Sequence, residues 1–202
     1  MAQLPLVFAA EESRPAPVAV LAPAERWELT RPLATARGVE GALRRLEEVR
    51  AHFPELDGVR IRVGRTTSRR ARAWASLDPT RPAVWIKPTR LDLFTATHEF
   101  VHLLQARRLV PRGEKMADLE ALARDVGLID RGPSYLKIPR RAFERDGRPR
   151  PGMAPILHRL AVEIRREAPT QPRRAVRLFE ERVVSLVPPP GLLEILTGGL
   201  WR

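Results

Sequence analysis

The chain has 202 residues, no cysteine and a formal net charge of +12, and hydrophobic residues make up 44% of it. This length and composition allow a single domain with a sizeable core. The lack of cysteine excludes disulfides, a thiol nucleophile and a cysteine-ligated zinc site, so any metal ion must be bound by His, Asp or Glu.

The positive charge comes almost entirely from arginine, because only three of the 36 basic residues are lysines. A nucleic acid or another anionic partner would account for such an excess. The arginines are nevertheless spread along the chain in pairs, such as Arg44–Arg45 and Arg107–Arg108, and do not form one block. We therefore expect the charge to reflect arginine usage, as in thermophilic proteins, and a nucleic-acid partner is the less favoured interpretation.

The N-terminal segment, residues 1–25, is rich in Pro and Ala and predicts an irregular lead-in. Its apolar stretch, residues 4–10, has no basic residue before it and is a poor secretory signal. No apolar run approaches the ~20 residues that a membrane span needs. We expect a cytoplasmic protein without a membrane partner, and the sequence leaves its oligomeric state open.

The first half of the chain predicts one helix followed by short strands. Apolar residues recur at helical spacing over residues 39–53, with charged residues between them. Residues 58–64 alternate apolar and charged side chains, which is typical of a half-buried strand. Residues 70–76 are a second candidate strand, and a turn over residues 78–82 leads into a third at residues 83–87.

The second half of the chain is mainly helical. The sequence Thr89-Arg90-Leu91-Asp92 matches a capping box and predicts a helix over about residues 90–108. Pro111 and Gly113 break the chain after it. Further helices are predicted over residues 114–126, 153–168 and 172–187, with a long Gly-, Pro- and Arg-rich loop at residues 127–152.

One helix carries the sequence THEFVHLLQ, residues 97–105. On a helix, positions i and i+4 share one face, so His98 and His102 can present two imidazole nitrogens to one metal ion. Zinc makes a bound water acidic enough to ionise near neutral pH, and the adjacent Glu99 can take its proton. Two histidines in an otherwise apolar core helix would be costly without partners, so the HExxH spacing favours a zinc site.

The motif and the order of elements around it resemble the zincin metallopeptidases, over about residues 58–137. The order consists of a hairpin, a turn, the strand at residues 83–87 and then the HExxH helix. Within the zincins, the chain is most similar to small intracellular minigluzincin-type and SprT-like metallopeptidases. The resemblance implies a small mixed sheet packed on helices and an edge strand that binds extended substrate. Gln105 and Arg108 stand where metzincins have glycine and a third histidine, and a zinc ribbon is excluded because there is no cysteine.

A catalytic zinc ion needs a third protein ligand and one open position. If the chain reverses after the HExxH helix, a residue about five positions into the next helix returns to the level of His102. Asp118 lies there and Glu120 one step further, whereas Glu114 falls early. Glu120 can instead pair with Arg124 at i,i+4, so Asp118 is the favoured third ligand.

Three further side chains are candidates for a role at or near the site. Tyr135, the single tyrosine, follows the next helix, and several zincins use a tyrosine there to stabilise an oxyanion. A packed loop residue is the alternative interpretation for Tyr135. His52 is expected to be solvated near a helix end, and His158 to lie at the edge of the core.

Together these patterns predict one α+β domain of the zincin type, a small mixed sheet packed on helices, with additional C-terminal helices over residues 153–202. The expected function is zinc-dependent hydrolysis of a peptide bond in a peptide or protein substrate. His98, His102 and Asp118 would bind Zn²⁺, Glu99 would act as general base on the metal-bound water, and an arginine or Tyr135 would help to polarise the carbonyl. The alternative is a basic nucleic-acid- or protein-binding module with a structural or vestigial metal site.

Overall fold

A computed structural model describes residues 25–69 and 71–187 of the chain. Over these residues the fold is mixed α/β, with six helices and one four-stranded sheet, and about 52% helical. The elements in chain order are β1 (Trp27–Leu29), α1 (Arg31–Ala34), α2 (Val39–Arg50), β2 (Ile61–Arg65), β3 (Ala73–Ala75), β4 (Ala83–Ile86), α3 (Leu93–Ala106), α4 (Glu114–Arg124), α5 (Met153–Glu167) and α6 (Pro172–Leu186).

The sheet has the strand order β1-β2-β4-β3. Strands β1, β2 and β4 are parallel neighbours, and β3 pairs antiparallel with β4 at the edge, with Ala75 opposite Val84. Alternation along β2 places Ile61 and Val63 in the core and Arg62 in solvent, as a sheet with one covered face requires. The sequence therefore predicted the three strands β2, β3 and β4 but missed β1.

The predicted hairpin is wrong in its pairing, because β2 and β3 are not neighbours. The turn at residues 78–82 instead joins β3 to β4, and β2 reaches β4 as a parallel partner. Alternation within a strand identifies its two faces but does not identify its neighbours. The correction makes β3, which lies against α3, an edge strand.

Helix α3 begins at Leu93, three residues later than the capping box indicated. Residues 88–90 form a 3₁₀ turn, and Asp92 is the N-cap, accepting a hydrogen bond from the Thr95 amide at 2.8 Å. Asp130, far along the chain, accepts the amide hydrogens of Leu93 and Phe94 at 2.9 and 3.0 Å. The start of α3 is therefore fixed by a tertiary contact that local sequence does not contain.

The three helices that follow α3 pack in series, starting against α3 itself. Helix α4 packs against α3 and α5, and α5 packs against α6. The predicted boundaries at residues 153–168 and 172–187 agree closely with α5 and α6, whose amphipathic patterns are strong. Among the described residues no helix is long and apolar enough to cross a membrane.

The expectation of a small mixed sheet packed on helices, with helices added at the C-terminal side, is confirmed in these terms. Residues 127–152 lack helices except for short 3₁₀ turns, as a loop assignment predicts. The lead-in up to residue 24 and the chain beyond residue 187 lie outside the described residues.

Candidate metal centre

Helix α3 is surrounded by protein along most of its length. All residues from Ala96 to Ala106 are buried, and they include the polar side chains of His98, Glu99, His102 and Gln105. Buried polar groups are costly unless they find partners. The partners of these four side chains therefore define what the helix can do.

His98 and His102 converge with a carboxylate from the first turn of α4. Their Nε2 atoms lie 3.0 Å apart, and Oε2 of Glu114 lies 3.1 Å from each of them. These three residues form a group that could hold a metal ion. The Glu114 side chain is 50% exposed, so the group faces solvent on one side.

The other ring nitrogen of each histidine is held by a separate partner. Nδ1 of His98 lies 2.8 Å from Oδ1 of Asp118, and Nδ1 of His102 lies 2.8 Å from Oε1 of Gln105. The Gln105 amide nitrogen donates to the carbonyls of Pro111 and Gly113 at 2.7 and 3.1 Å. The glutamine oxygen must therefore face His102 and accept a hydrogen bond from its ring.

These hydrogen bonds determine the state of the two Nε2 atoms. A neutral imidazole that donates from Nδ1 carries a lone pair on Nε2, so His98 and His102 direct two lone pairs at one point. The carboxylate oxygen of Glu114 directs a third lone pair at the same point. Three lone pairs that face one another repel, so the arrangement is favourable only when a cation lies between them. A tetrahedral zinc ion with ligands at 2.0–2.1 Å would separate them by about 3.3 Å, close to the spacings of 3.0 and 3.1 Å.

A proton is the other cation that can occupy this position. Burial acts to lower the pKa of His98, but the hydrogen bond and the charge of Asp118 outweigh it and the pKa is raised. The neighbouring carboxylates of Glu99 and Glu114 act in the same direction. The pocket therefore favours positive charge at His98 whether a proton or a metal ion supplies it.

Asp118, the predicted third ligand, is not part of the group of His98, His102 and Glu114 that could hold a metal ion. Its Oδ1 contacts Nδ1 of His98, and its Oδ2 accepts from the backbone amides of Tyr135 and Leu136 at 2.6 and 3.1 Å. It thus joins the HExxH helix to the loop after α4. The distances place Glu114, and not Asp118, with the two Nε2 atoms, and they place Asp118 where it can orient the ring of His98.

Counting residues along the helices predicts that Glu114 lies too early in the chain to reach the two histidines. Helix α4 in fact begins at Glu114 beside the two histidines. A glutamate side chain in the first turn is long enough to reach both Nε2 atoms. Gly113, with φ of 115°, gives the backbone conformation that precedes this turn.

Glu99 has the environment of a tuned acid–base group. It is 5% exposed, and its Oε2 is buried without a hydrogen-bond partner among the described residues. Burial raises the pKa of Glu99 to about 7, with the charge of Glu114 adding to the rise, while His98 and the Ala75 amide act to lower it. A carboxyl group in this range can accept and return a proton near neutral pH.

A cleft next to His98 is lined by several of these side chains. The cavity of about 410 Å³ is bounded by residues of β3, α3, α4 and the loop after α4. His98, Glu99, Asp118 and Tyr135 are among its lining residues, and Ala73 of the edge strand forms part of its wall. An extended chain placed along β3 would therefore pass Glu99.

Tyr135 lies at this cleft, as the sequence predicted. Its ring stacks on that of His98 with centroids 5.6 Å apart, and the residue is 47% exposed. Burial and the carboxylates of Glu114 and Asp118 raise the pKa of the phenol, so it remains a proton donor at neutral pH. Its packing on His98 and its access to solvent are compatible with contact to a bound substrate.

The remaining candidates lie elsewhere. Glu120 is 3% exposed and pairs with Arg165 of α5 at 3.0 Å, so the expected surface pairing with Arg124 is wrong. His52 lies 3.6 Å from Asp125, and His158 donates to the carbonyl of Leu122 at 2.8 Å. Among the described residues, none of these three side chains belongs to the group of His98, His102 and Glu114 that could hold a metal ion.

Comparison of the chain with known protein families, curated proteins and solved structures gives no match.

Proposed function

We propose that the protein is a zinc-dependent hydrolase of the zincin type that cleaves peptide bonds in peptide or protein substrates. The observation that carries the proposal is the convergence of Nε2 of His98, Nε2 of His102 and Oε2 of Glu114 within 3.1 Å, with Glu99 beside them in the cleft. Three protein ligands with an open side are typical of a catalytic zinc site, whereas structural zinc sites usually have four.

Each residue has a distinct task in this proposal. His98, His102 and Glu114 would hold the ion, while Asp118 and Gln105 keep the two rings in the tautomer that leaves Nε2 free. A bound zinc ion supplies Lewis acidity, which polarises a carbonyl and lowers the pKa of water.

Glu99 would perform the proton transfers. Its free, buried Oε2 can take a proton from the attacking water, and a pKa of about 7 allows it to pass that proton to the leaving amine. Tyr135 would donate a hydrogen bond from its hydroxyl to the oxygen that gains charge. The edge strand β3 offers backbone groups along which an extended peptide can lie.

The decisive experiment measures cleavage of an unfolded protein substrate by wild type and Glu99→Gln, each with metal content determined. Glutamine keeps the size of the side chain but cannot accept the proton. We expect equal zinc content and a loss of activity of at least about 10²-fold in the variant. Glu163→Gln, at an exposed position on α5, is the matched control and should leave both quantities unchanged.

The proposal fails if zinc-loaded wild type leaves unfolded substrates intact, or if Glu99→Gln is as active as wild type. Activity that persists after a chelator has removed all bound metal contradicts it equally. A protein that binds zinc tightly without hydrolysis would instead favour a structural metal site.

A further inference from the structure

A second cavity of about 770 Å³ is lined by residues on the N-terminal side of α2 and α3 and at the end of β2. Three segments form it, and each lies at the carboxyl end of a parallel strand: residues 32–37 after β1, residues 65–69 from the last residue of β2 onward, and residues 87–90 after β4. Ligands of open sheets commonly bind outside the carboxyl ends of parallel strands. We call this cavity the basic groove.

The groove has an unbalanced charge. Its lining includes five basic side chains and no acidic one, namely Arg37, Arg65, Arg69, Lys87 and Arg90. Among the described residues none of the five forms an ion pair with a carboxylate, although many other arginines of the chain do. The four arginines are exposed, so their charge is available to a ligand.

Two other cavities provide an internal comparison. The cavity beside the start of α5 has four arginines but also three aspartates. The cavity at the amino ends of β2 and β4 has three arginines together with Glu28 and Asp78. The high arginine content of the chain therefore places basic residues in every cavity, but among these three only the basic groove lacks a balancing acid.

The other lining residues suit a phosphate ligand. Thr67, Ser68 and Thr89 contribute side-chain hydroxyls, which together with arginine are common donors to phosphate oxygens. The groove has no aromatic side chain in its lining, so it offers no platform on which bases could stack. Recognition would therefore be of the backbone and would not depend on base sequence.

We infer that the basic groove binds the phosphodiester backbone of a nucleic acid. Five cations spread along an open groove fit an extended polyanion better than a single enclosed phosphate. The arginines are spread along the sequence, but three separate segments bring five basic residues together. This inference stands independently of the proposed hydrolase activity.

The test measures binding of fluorescently labelled single-stranded and duplex oligonucleotides by anisotropy. With three to five phosphate contacts, the logarithm of the association constant should fall linearly with the logarithm of the salt concentration, with a slope of about −2 to −4.5. We expect similar affinities for unrelated base sequences. Measurable binding at about 50 mM salt should weaken by at least about tenfold at 200 mM.

Matched double variants separate the groove from general charge. Arg65→Gln/Arg90→Gln removes two groove cations, whereas Arg60→Gln/Arg81→Gln removes two exposed arginines at the opposite ends of β2 and β4. Both change the net charge equally. The groove variant should lose at least about tenfold in affinity and flatten the salt slope by about 1.5, with less than threefold loss in the control.

Three outcomes would overturn the inference. Equal losses in the two double variants would show that binding follows net charge alone. Absence of oligonucleotide binding at about 50 mM salt would show that the groove does not bind nucleic acid. Competition by polyglutamate as effective as that by an oligonucleotide of equal charge would identify the groove as a site for acidic polypeptides. Thermal unfolding of all variants checks that each is folded.

Discussion

Oδ1 of Asp118 lies 2.8 Å from Nδ1 of His98, whereas the other nitrogen of the same ring faces His102. This relationship distinguishes the contacts of two of the three acidic residues of α4, Asp118 and Glu114. Asp118 sets the tautomer and orientation of His98, and Glu114 is the carboxylate that reaches the point where both Nε2 atoms meet. The two acids lie four residues apart on one helix face, one turn from each other.

The first prediction concerns metal content. Glu114→Ala and His98→Ala should each remove a ligand and leave little bound zinc after dialysis. Asp118→Asn should retain zinc with an affinity about 10–100-fold lower, since a partner of a ligand is weakened and no ligand is lost. Metal analysis and competition with a chromophoric chelator measure both effects.

Loss of zinc from Asp118→Asn with full retention by Glu114→Ala would restore the sequence-based choice of Asp118 as the third ligand. Because the Glu114 side chain is 50% exposed, its removal should leave the thermal unfolding temperature of the metal-free protein nearly unchanged. If the metal-free variants remain folded, a difference in zinc content between Glu114→Ala and Asp118→Asn reflects the loss of a ligand and not unfolding.

Local patterns in the sequence predicted the helices and the shared face of His98 and His102 on α3 because their information is local. The i,i+4 spacing of His98 and His102 needs only a helix, and the apolar residues around them specify one. The partners of these side chains come from residues 105–136, and spacing alone does not position them. The sequence assigned Glu120 a surface role, for example, yet contact with Arg165 of α5 buries it.

The sheet shows the same limit. Alternating residues predicted β2, but the strand pairing depends on contacts between distant segments. The three-residue strand β1 carries too short a pattern to detect. The basic groove also needs the tertiary fold, since its five cations come from three segments that each follow a different strand.

The second prediction addresses Gln105, which stands where metzincins have glycine. Its oxygen lies 2.8 Å from Nδ1 of His102, and its amide binds the Pro111 and Gly113 carbonyls. Gln105→Met keeps the volume but frees the ring and the turn. We expect zinc affinity to fall about 10–100-fold.

Gln105→Ala supplies a second test, because it removes the same hydrogen bonds through a different change in volume. Similar losses of zinc affinity in both variants would assign the effect to orientation of His102. Unchanged affinity in both would contradict a role for Gln105 in holding the ring.

The third prediction concerns the N-terminus of α3. Both oxygens of Asp130 accept helix amides, from Leu93 and Phe94, so Asp130→Ala leaves two buried or half-buried donors unsatisfied. The free energy of unfolding should fall by about 1–2 kcal/mol. Denaturant unfolding measures the change, with zinc stoichiometry expected to stay at the wild-type value.

Asp130→Asn keeps one acceptor oxygen and is the control for side-chain volume. It should lose clearly less stability than Asp130→Ala. Equal stability of Asp130→Ala and wild type would show that Asp92, which caps Thr95 at 2.8 Å, is sufficient to start the helix.

The last prediction uses the titration of Glu99 in the metal-free protein. Burial raises the pKa of this carboxyl from 4.5 to about 7, so the folded state holds a proton that the unfolded state has released. A raised pKa gives a stabilisation that is complete below pH 4.5 and is lost as the pH rises through about 7. The glutamine side chain of Glu99→Gln is neutral at every pH, so this variant does not undergo the loss of stability that wild type shows as the pH rises.

Stability measured by urea unfolding should therefore diverge between the two proteins with pH. Relative to its value at about pH 4, the stability of Glu99→Gln over wild type should grow by about 3 kcal/mol at about pH 8. His98 titrates in both proteins, so most of its contribution cancels in the comparison. A difference that stays constant over this range would contradict the raised pKa, and Glu163→Gln, whose parent side chain is 62% exposed, should show no such divergence.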